Sequence, residues 1–243
     1  MDLQDIVMDE IEKRSEMKPL EMKPLNEYID HTLLKAEASS KEITQLCEEA
    51  KEYGFYSVCV NSSYVPLAVE QLKGSGVKVA AVVGFPLGAM STQAKAYEAD
   101  WACDNGANEV DMVINIGALM EGRTREVKED ISVVCQFAHE YDSLVKVIIE
   151  TCLLSEEQII LACQLAEEAG ADFVKTSTGF SKEGASPEVV ALMKKTVGDR
   201  MMIKASGGIR DYKRAMLMIE AGADRIGASA SVSIMKEAKA IQG

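Results

Sequence analysis

Four times in this 243-residue chain a helix-like segment closes on glycine and a β-rich segment begins within a few residues. The junctions are Glu52-Tyr53-Gly54, Asp104-Asn105-Gly106-Ala107, Glu168-Ala169-Gly170-Ala171-Asp172 and Glu220-Ala221-Gly222-Ala223-Asp224. Glycine after a helix supplies the left-handed residue that closes its C-terminus. The β-rich segments that follow are Ser57–Asn61, Glu109–Asn115, Phe173–Ser177 and Arg225–Ala228. Between them Val77–Phe85, Lys146–Thr151 and Met201–Ala205 are near-continuous in Val, Ile and Met, as strands buried on both faces are. Tyr28-Ile29-Asp30-His31-Thr32 serves as a short first strand, which makes eight.

The intervening segments carry helix starts. Ser39-Ser40-Lys41-Glu42 and Ser155-Glu156-Glu157-Gln158 are capping boxes, and Ser186-Pro187 puts proline at the first helical position. Ile43, Leu46, Cys47 and Ala50 fall on one face, the stripe that packs on a sheet. Eight strands each followed by a helix spell an α/β fold, the (β/α)8 TIM barrel. A doubly wound open sheet is the alternative, but it wants a Gly-x-Gly-x-x-Gly after an early strand, and the chain has none. Ahead of the barrel, residues 3 to 14 show amphipathic helix spacing at Leu3, Ile6, Val7 and Ile11. Glu16-Met17-Lys18-Pro19-Leu20 then repeats as Glu21-Met22-Lys23-Pro24-Leu25, and its two prolines stop a helix from continuing. The expected organisation is an N-terminal helix and linker over 1–25 and a catalytic barrel over 26–243.

Composition narrows the function. Lys+Arg 26 against Asp+Glu 39 gives a net charge of −13, which repels nucleic acid. No apolar run is long enough for a membrane span. Six cysteines without a C-x-x-C pair and two histidines predict no metal site and no haem. Dispersed thiols and an acidic start, Met1-Asp2-Leu3-Gln4-Asp5, lead us to expect a cytoplasmic protein without a secretory leader.

In a barrel, catalytic groups belong at the C-terminal strand ends, so charged residues interrupting apolar strands are the candidates. Three stand out: Asp111 in the fourth strand, Lys175 in the sixth and Lys204 in the seventh. Two lysines from neighbouring strands disfavour each other's protonation, and a free amine is what attack on a carbonyl needs. Asp111 balances the remaining charge and moves protons if it reaches a substrate hydroxyl. The same three residues equally suit a buried ion-pair network that holds strands in register. Lys146 opens its strand in this reading, so it is expected at the opposite end of the barrel. Gly207-Gly208 and Gly227-Ala228-Ser229 follow strands seven and eight, whose loops commonly bind phosphate through backbone N–H groups; glycines that merely close tight turns would look alike.

The series Ile29-Asp30-His31-Thr32-Leu33-Leu34, Val58-Cys59-Val60-Asn61, Val83-Gly84-Phe85-Pro86-Leu87-Gly88, Glu109–Asn115, Lys175–Phe180 and Lys204–Ile209 resembles the deoxyribose-phosphate aldolase family over nearly the whole barrel. That resemblance implies reversible, metal-free and cofactor-free cleavage of 2-deoxy-D-ribose 5-phosphate into D-glyceraldehyde 3-phosphate and acetaldehyde through an imine, in deoxyribonucleotide catabolism. It makes Lys175 the Schiff-base lysine, Lys204 its electrostatic neighbour and Asp111 the proton-transfer carboxylate. Asp30, which orients Lys204, Cys59 and Thr178 lie beside the substrate in this correspondence, and Gly179, Gly207, Gly208, Gly227 and Ser229 surround the phosphate. It also implies a homodimer as the partner state. Two departures are visible. The run after strand eight is Gly227-Ala228-Ser229-Ala230-Ser231, one hydroxyl and one glycine short of the family pattern, so weaker phosphate binding is expected. The sequence ends Ala240-Ile241-Gln242-Gly243 without the family's frequent C-terminal tyrosine, so slower protonation of the enamine is expected. Two other readings remain: a different imine-forming aldolase acting on a keto-sugar phosphate, and a non-catalytic sugar-phosphate-binding barrel.

Overall fold

The computed structural model describes residues 23–242. The expected helix over 3–14 and most of the repeated Pro-containing linker lie outside the described residues. The strands are β1 (Ile29–Leu33), β2 (Ser57–Asn61), β3 (Lys78–Val83), β4 (Glu109–Val113), β5 (Leu144–Ile148), β6 (Phe173–Lys175), β7 (Met202–Ser206) and β8 (Arg225–Ala228). They close in sequence order, every neighbouring pair parallel, with β1 against β8. Closure leaves no unpaired sheet edge.

Each strand leads into a helix: α1 (Ser40–Tyr53), α2 (Val65–Leu72), α3 (Thr92–Asp104), α4 (Ile116–Met120), α5 (Thr124–His139), α6 (Glu156–Glu168), α7 (Pro187–Val197), α8 (Tyr212–Glu220) and α9 (Ser231–Gln242). The short α4 inserted before α5 was not expected. Local sequence sets the ends. Ser39 accepts from the Glu42 amide while the Glu42 carboxylate accepts from the Ser39 amide, and Ser155 and Gln158 repeat the arrangement. Gly54, Gly106, Gly170 and Gly222 all take positive φ, from 65° to 122°, so the glycine rhythm does reflect helix closure. The α1 stripe of Ile43, Leu46, Cys47 and Ala50 is buried, each large side chain contributing about 1.5–3 kcal/mol.

Alternation along the strands separates two interiors. Residues such as Val58, Val60, Val79, Ala81, Val110, Met112, Val145 and Val147 point outward into one continuous apolar core with the helices. Cys59, Ala80 and Val82 point inward with Leu34 and Phe85 as a smaller cluster. The same inward face carries the buried charges Asp30, Glu109, Asp111, Lys146, Lys175, Lys204 and Arg225.

One expectation fails here. Lys146 does not open β5: it is the third residue, directly opposite Asp111 in the register, and not at the far end of the barrel. The β5 strand begins at Leu144 and stops at Ile148, because Glu150 takes a left-handed conformation (φ 53°) that breaks the ladder.

Candidate active site

Register gathers seven charged side chains inside the barrel. Asp111 faces Lys146 across β4 and β5, Lys175 faces Lys204 across β6 and β7, and Lys204 faces Arg225 across β7 and β8. Asp30 and Glu109 complete the set, and each of the seven is at most 5% exposed. Asp111 is the hub. Its Oδ2 accepts from Lys175 Nζ at 2.7 Å and Lys204 Nζ at 2.8 Å, while its Oδ1 accepts from Lys146 Nζ at 2.7 Å. Below it, Lys146 Nζ lies 2.5 Å from Glu109, and Arg225 donates to Asp30 at 2.7 Å and to both Glu109 oxygens at 3.3 Å. Lys204 Nζ also sits 2.5 Å from Asp30 Oδ2. Arg225 stacks on Tyr56, its guanidinium carbon 3.4 Å from the ring centroid.

The four cations do not behave alike. Burial holds the Lys175 amine below the usual lysine value; Asp111 opposes that and the Lys204 cation adds to it. Burial acts on Lys146, Lys204 and Arg225 as well, but Asp111 and Glu109 outweigh it at Lys146, Asp111 and Asp30 at Lys204, and Asp30 and Glu109 at Arg225. All three keep their protons more firmly than usual. Burial would raise Asp111, yet Lys146, Lys175 and Lys204 together hold its carboxyl well below the ordinary range. Asp30 is held down in the same way by Lys204 and Arg225, against burial. Lys175 and Lys204 share one oxygen, which puts them within the ~4–6 Å over which like charges disfavour protonation.

Above the cluster lies a cavity of about 250 Å³, and Lys175 is the one member of the seven that lines it. Around it stand Thr178 and Gly179 from the loop after β6, Gly207 and Gly208 after β7, and Gly227 and Ser229 at the end of β8. Glycine is required by crowding here. A Cβ on Gly184 would fall 2.1 Å from the Gly207 carbonyl oxygen, and one on Gly207 2.9 Å from the Gly184 Cα, so the loops after β6 and β7 pack backbone to backbone. At Gly227 a Cβ would lie 3.0 Å from Lys204 Cε, so this glycine makes room for the lysine stem.

Of the residues singled out from sequence, Lys175, Thr178, Gly179, Gly207, Gly208, Gly227 and Ser229 meet at the cavity. Lys204, Asp111, Asp30 and Cys59 are each 0% exposed and lie outside its lining, with Cys59 Sγ 3.9 Å from Asp111 Oδ2. Asp111 therefore meets lysines in this state, not a ligand directly. Ser231 turns its hydroxyl onto the Ala228 carbonyl at 2.8 Å. Sequence reading missed Glu109, Lys146 and Arg225 as members of the cluster. The signal was the one that found Asp111, a charge in an apolar strand. It also missed Glu150, buried at the end of β5, whose carboxylate accepts from the Thr178 amide and hydroxyl. Lys35 and Arg210 add two cations to the cavity lining.

A closed parallel barrel whose buried lysine opens onto a small polar cavity ringed by βα loops defines a barrel enzyme acting on a small molecule. The comparisons make that class specific. The model of the DeoC/LacD family aldolases matches residues 25–236. The chain is 60% identical over 212 residues to a deoxyribose-phosphate aldolase of Alkaliphilus oremlandii, covering 87% of this chain and 95% of that protein. A deoxyribose-phosphate aldolase of Carboxydothermus hydrogenoformans is also 60% identical over 212 residues, 86% of this chain and 93% of the other. Among solved structures, the deoxyribose phosphate aldolase of Aeropyrum pernix, described as tetrameric, superposes with a TM-score of 0.86 at 32% identity, covering 99% of this chain and 100% of that one. The chain belongs to the DeoC/LacD family and is an aldolase. No helix among the described residues is long and apolar enough to cross a membrane.

Proposed function

We propose that this aldolase cleaves 2-deoxy-D-ribose 5-phosphate reversibly into D-glyceraldehyde 3-phosphate and acetaldehyde through an imine on Lys175. The observation that carries this reading is that Lys175 is the member of the buried cluster that reaches the cavity, and that burial holds its proton affinity below that of an ordinary lysine. A neutral amine adds to C1 of the open-chain sugar and loses water, and the protonated imine becomes the electron sink. Loss of the C3 hydroxyl proton then breaks the C2–C3 bond, since acetaldehyde retains C1 and C2. Asp111 Oδ2 accepts that proton once Lys175 swings into the imine and gives up its contact there. Protonation of the enamine at C2 and hydrolysis release acetaldehyde.

Lys204 stays charged in this mechanism and disfavours the ammonium form of Lys175, while Asp30 holds Lys204 in place. Gly179, Gly207, Gly208, Gly227 and Ser229 receive the phosphate, with Thr178 beside the sugar. A phosphate suits backbone donors in an overall acidic protein, because it needs no basic patch. We place the enzyme in the cytoplasm, in deoxyribonucleotide catabolism and as a homodimer; light scattering that returns only a 26.4 kDa monomer would remove the dimer.

Borohydride added with substrate fixes a two-carbon fragment on Lys175, read by mass spectrometry, and EDTA leaves the rate unchanged. A fragment on another residue, or none, overturns the mechanism. A higher kcat/KM for a keto-sugar phosphate than for deoxyribose 5-phosphate overturns the substrate.

A further inference from the structure

The seven buried charges have an uneven count: Asp30, Glu109 and Asp111 against Lys146, Lys175, Lys204 and Arg225. Excess charge in a buried cluster is costly, and such a cluster relieves it by shedding a proton. Arginine does not give one up. Lys204 is pinned between Asp30 and Asp111, and Lys146 between Glu109 and Asp111. Lys175 touches a single carboxylate oxygen, at 2.7 Å, and it alone borders the cavity. The fourth cation is therefore the one that leaves as a neutral amine.

We infer that Lys146 on β5 and Glu109 on β4, both outside the cavity, are positioning residues that set the charge count of the barrel core and so favour the unprotonated form of Lys175. This rests on the reading of Lys175 as the imine-forming lysine. Lys146 takes Asp111 Oδ1, which leaves only Oδ2 for Lys175 and Lys204 to share. Its own charge is answered by Glu109, which also holds Arg225. The buried charges in this count are Asp111 and Glu109 from β4, Lys146 from β5, Lys204 from β7, Arg225 from β8 and Asp30 from β1; Lys35 and Arg210, in the lining of the cavity that Lys175 borders, are exposed to solvent, which screens them. The thiol of Cys59 on β2 is pushed up by burial and stays neutral. Protons shared across such a network belong to the cluster as a whole, so a change at its lower end is felt at Lys175.

The count makes an unusual demand. Lys146→Met leaves three carboxylates and three cations, so Lys175 now retains its proton. Adding Glu109→Gln leaves two carboxylates against Lys175, Lys204 and Arg225, and one proton is again in excess. The double variant is therefore expected to work where the single variant fails. A purely structural role predicts the reverse, with two broken partners at least as harmful as one.

The experiment measures how the amount of acetaldehyde fixed on Lys175 by borohydride depends on pH in the wild-type protein, Lys146→Met, Lys146→Arg and Lys146→Met/Glu109→Gln. Circular dichroism establishes that each is folded. The midpoint is expected to move up by about one unit or more in Lys146→Met, the size typical of a close charge, to stay in Lys146→Arg, and to return towards wild type in the double variant. If Lys146→Met does not fold, Lys146→Gln, which retains a hydrogen-bonding group for Asp111, takes its place. An unmoved midpoint in the single variant, or a double variant shifted as far as the single one, overturns the inference. Absence of trapping on wild-type Lys175 overturns the imine reading instead, so the two failures are distinct.

Discussion

Among the described residues four lysines are buried beside an aspartate, Lys95, Lys146, Lys175 and Lys204, and of these Lys175 alone opens onto the cavity; Lys95, outside the barrel interior, makes the sharpest contrast with it. Lys95, on α3, is 0% exposed and lies 2.5 Å from Asp130 of α5, whose other oxygen accepts from Thr92 at 3.0 Å. Burial pushes its amine down, as it does at Lys175, although Asp130 opposes that. The two differ in what surrounds the pair. Lys95 has one carboxylate to itself between two helices, and its stem packs over Gly84. Lys175 shares its carboxylate with two other lysines and lines the cavity. A perturbed lysine is thus not in itself a nucleophile; access and a surplus of cations distinguish the one from the other.

The contrast is broken most severely at Lys175. Lys175→Leu is expected to lose all trapping and all acetaldehyde production at every pH, because the one amine of the buried cluster that reaches the cavity is gone; turnover recovered at high pH would show that another group, such as Lys35 in the same lining, forms the imine. Lys204→Leu follows. It removes the neighbouring cation and raises the Lys175 pKa, so the neutral amine becomes scarce at pH 7, by about tenfold for each unit of rise. Since the charged form is inactive, activity lost at neutral pH returns in part as pH climbs, and a flat loss across the pH–rate profile would assign Lys204 to positioning.

Glu150→Gln sharpens the boundary of the cluster. Glu150 holds Thr178 at the cavity but touches none of the seven charges. Weakening hydrogen bonds to a charged group costs about 1.5–3 kcal/mol of loop order. KM is expected to rise by about tenfold or more with the acid limb of the profile unmoved; a shifted limb would place Glu150 within the electrostatic network. Lys95→Met has the least effect on turnover and a large one on stability. Leaving Asp130 buried without its cation costs about 3–5 kcal/mol, read as a lower denaturation midpoint, while kcat/KM at a temperature where the protein is folded matches wild type. Loss of trapping in that folded variant would dissolve the distinction between the two lysines.

What the sequence disclosed, it disclosed through local signals. Glycines at helix ends, capping serines and near-continuous apolar runs for the strands suffice for the barrel reading, because each acts within a few residues of itself. Asp111, Lys175 and Lys204 are legible as charges inside apolar strands, and the β7 and β8 glycines as loop residues. Less visible were quantities set by neighbours. The expected strands Glu109–Asn115 and Phe173–Ser177 are two residues too long at their C-terminal ends. Asn115 turns to cap α4, and Thr176 to Ser177 stay buried while leaving the ladder. Lys146 was misplaced because Leu144 to Ile149 is uniformly apolar around it, so only pairing with β4 fixes where the strand begins. Glu109 and Arg225 head their strands, where a charge ordinarily meets water; that they meet each other is a property of closure.

Lys175 is held to lose its proton more readily than an ordinary lysine because the barrel core holds one cation too many. That is tested most directly by titrating Lys175 in the wild-type protein: the two-carbon fragment fixed on it by borohydride is measured by mass spectrometry from neutral to strongly alkaline pH. Labelling confined to Lys175 is expected, with a midpoint below the ordinary lysine value of about 10.4. A midpoint at or above that value, or a fragment carried by any other lysine, contradicts it.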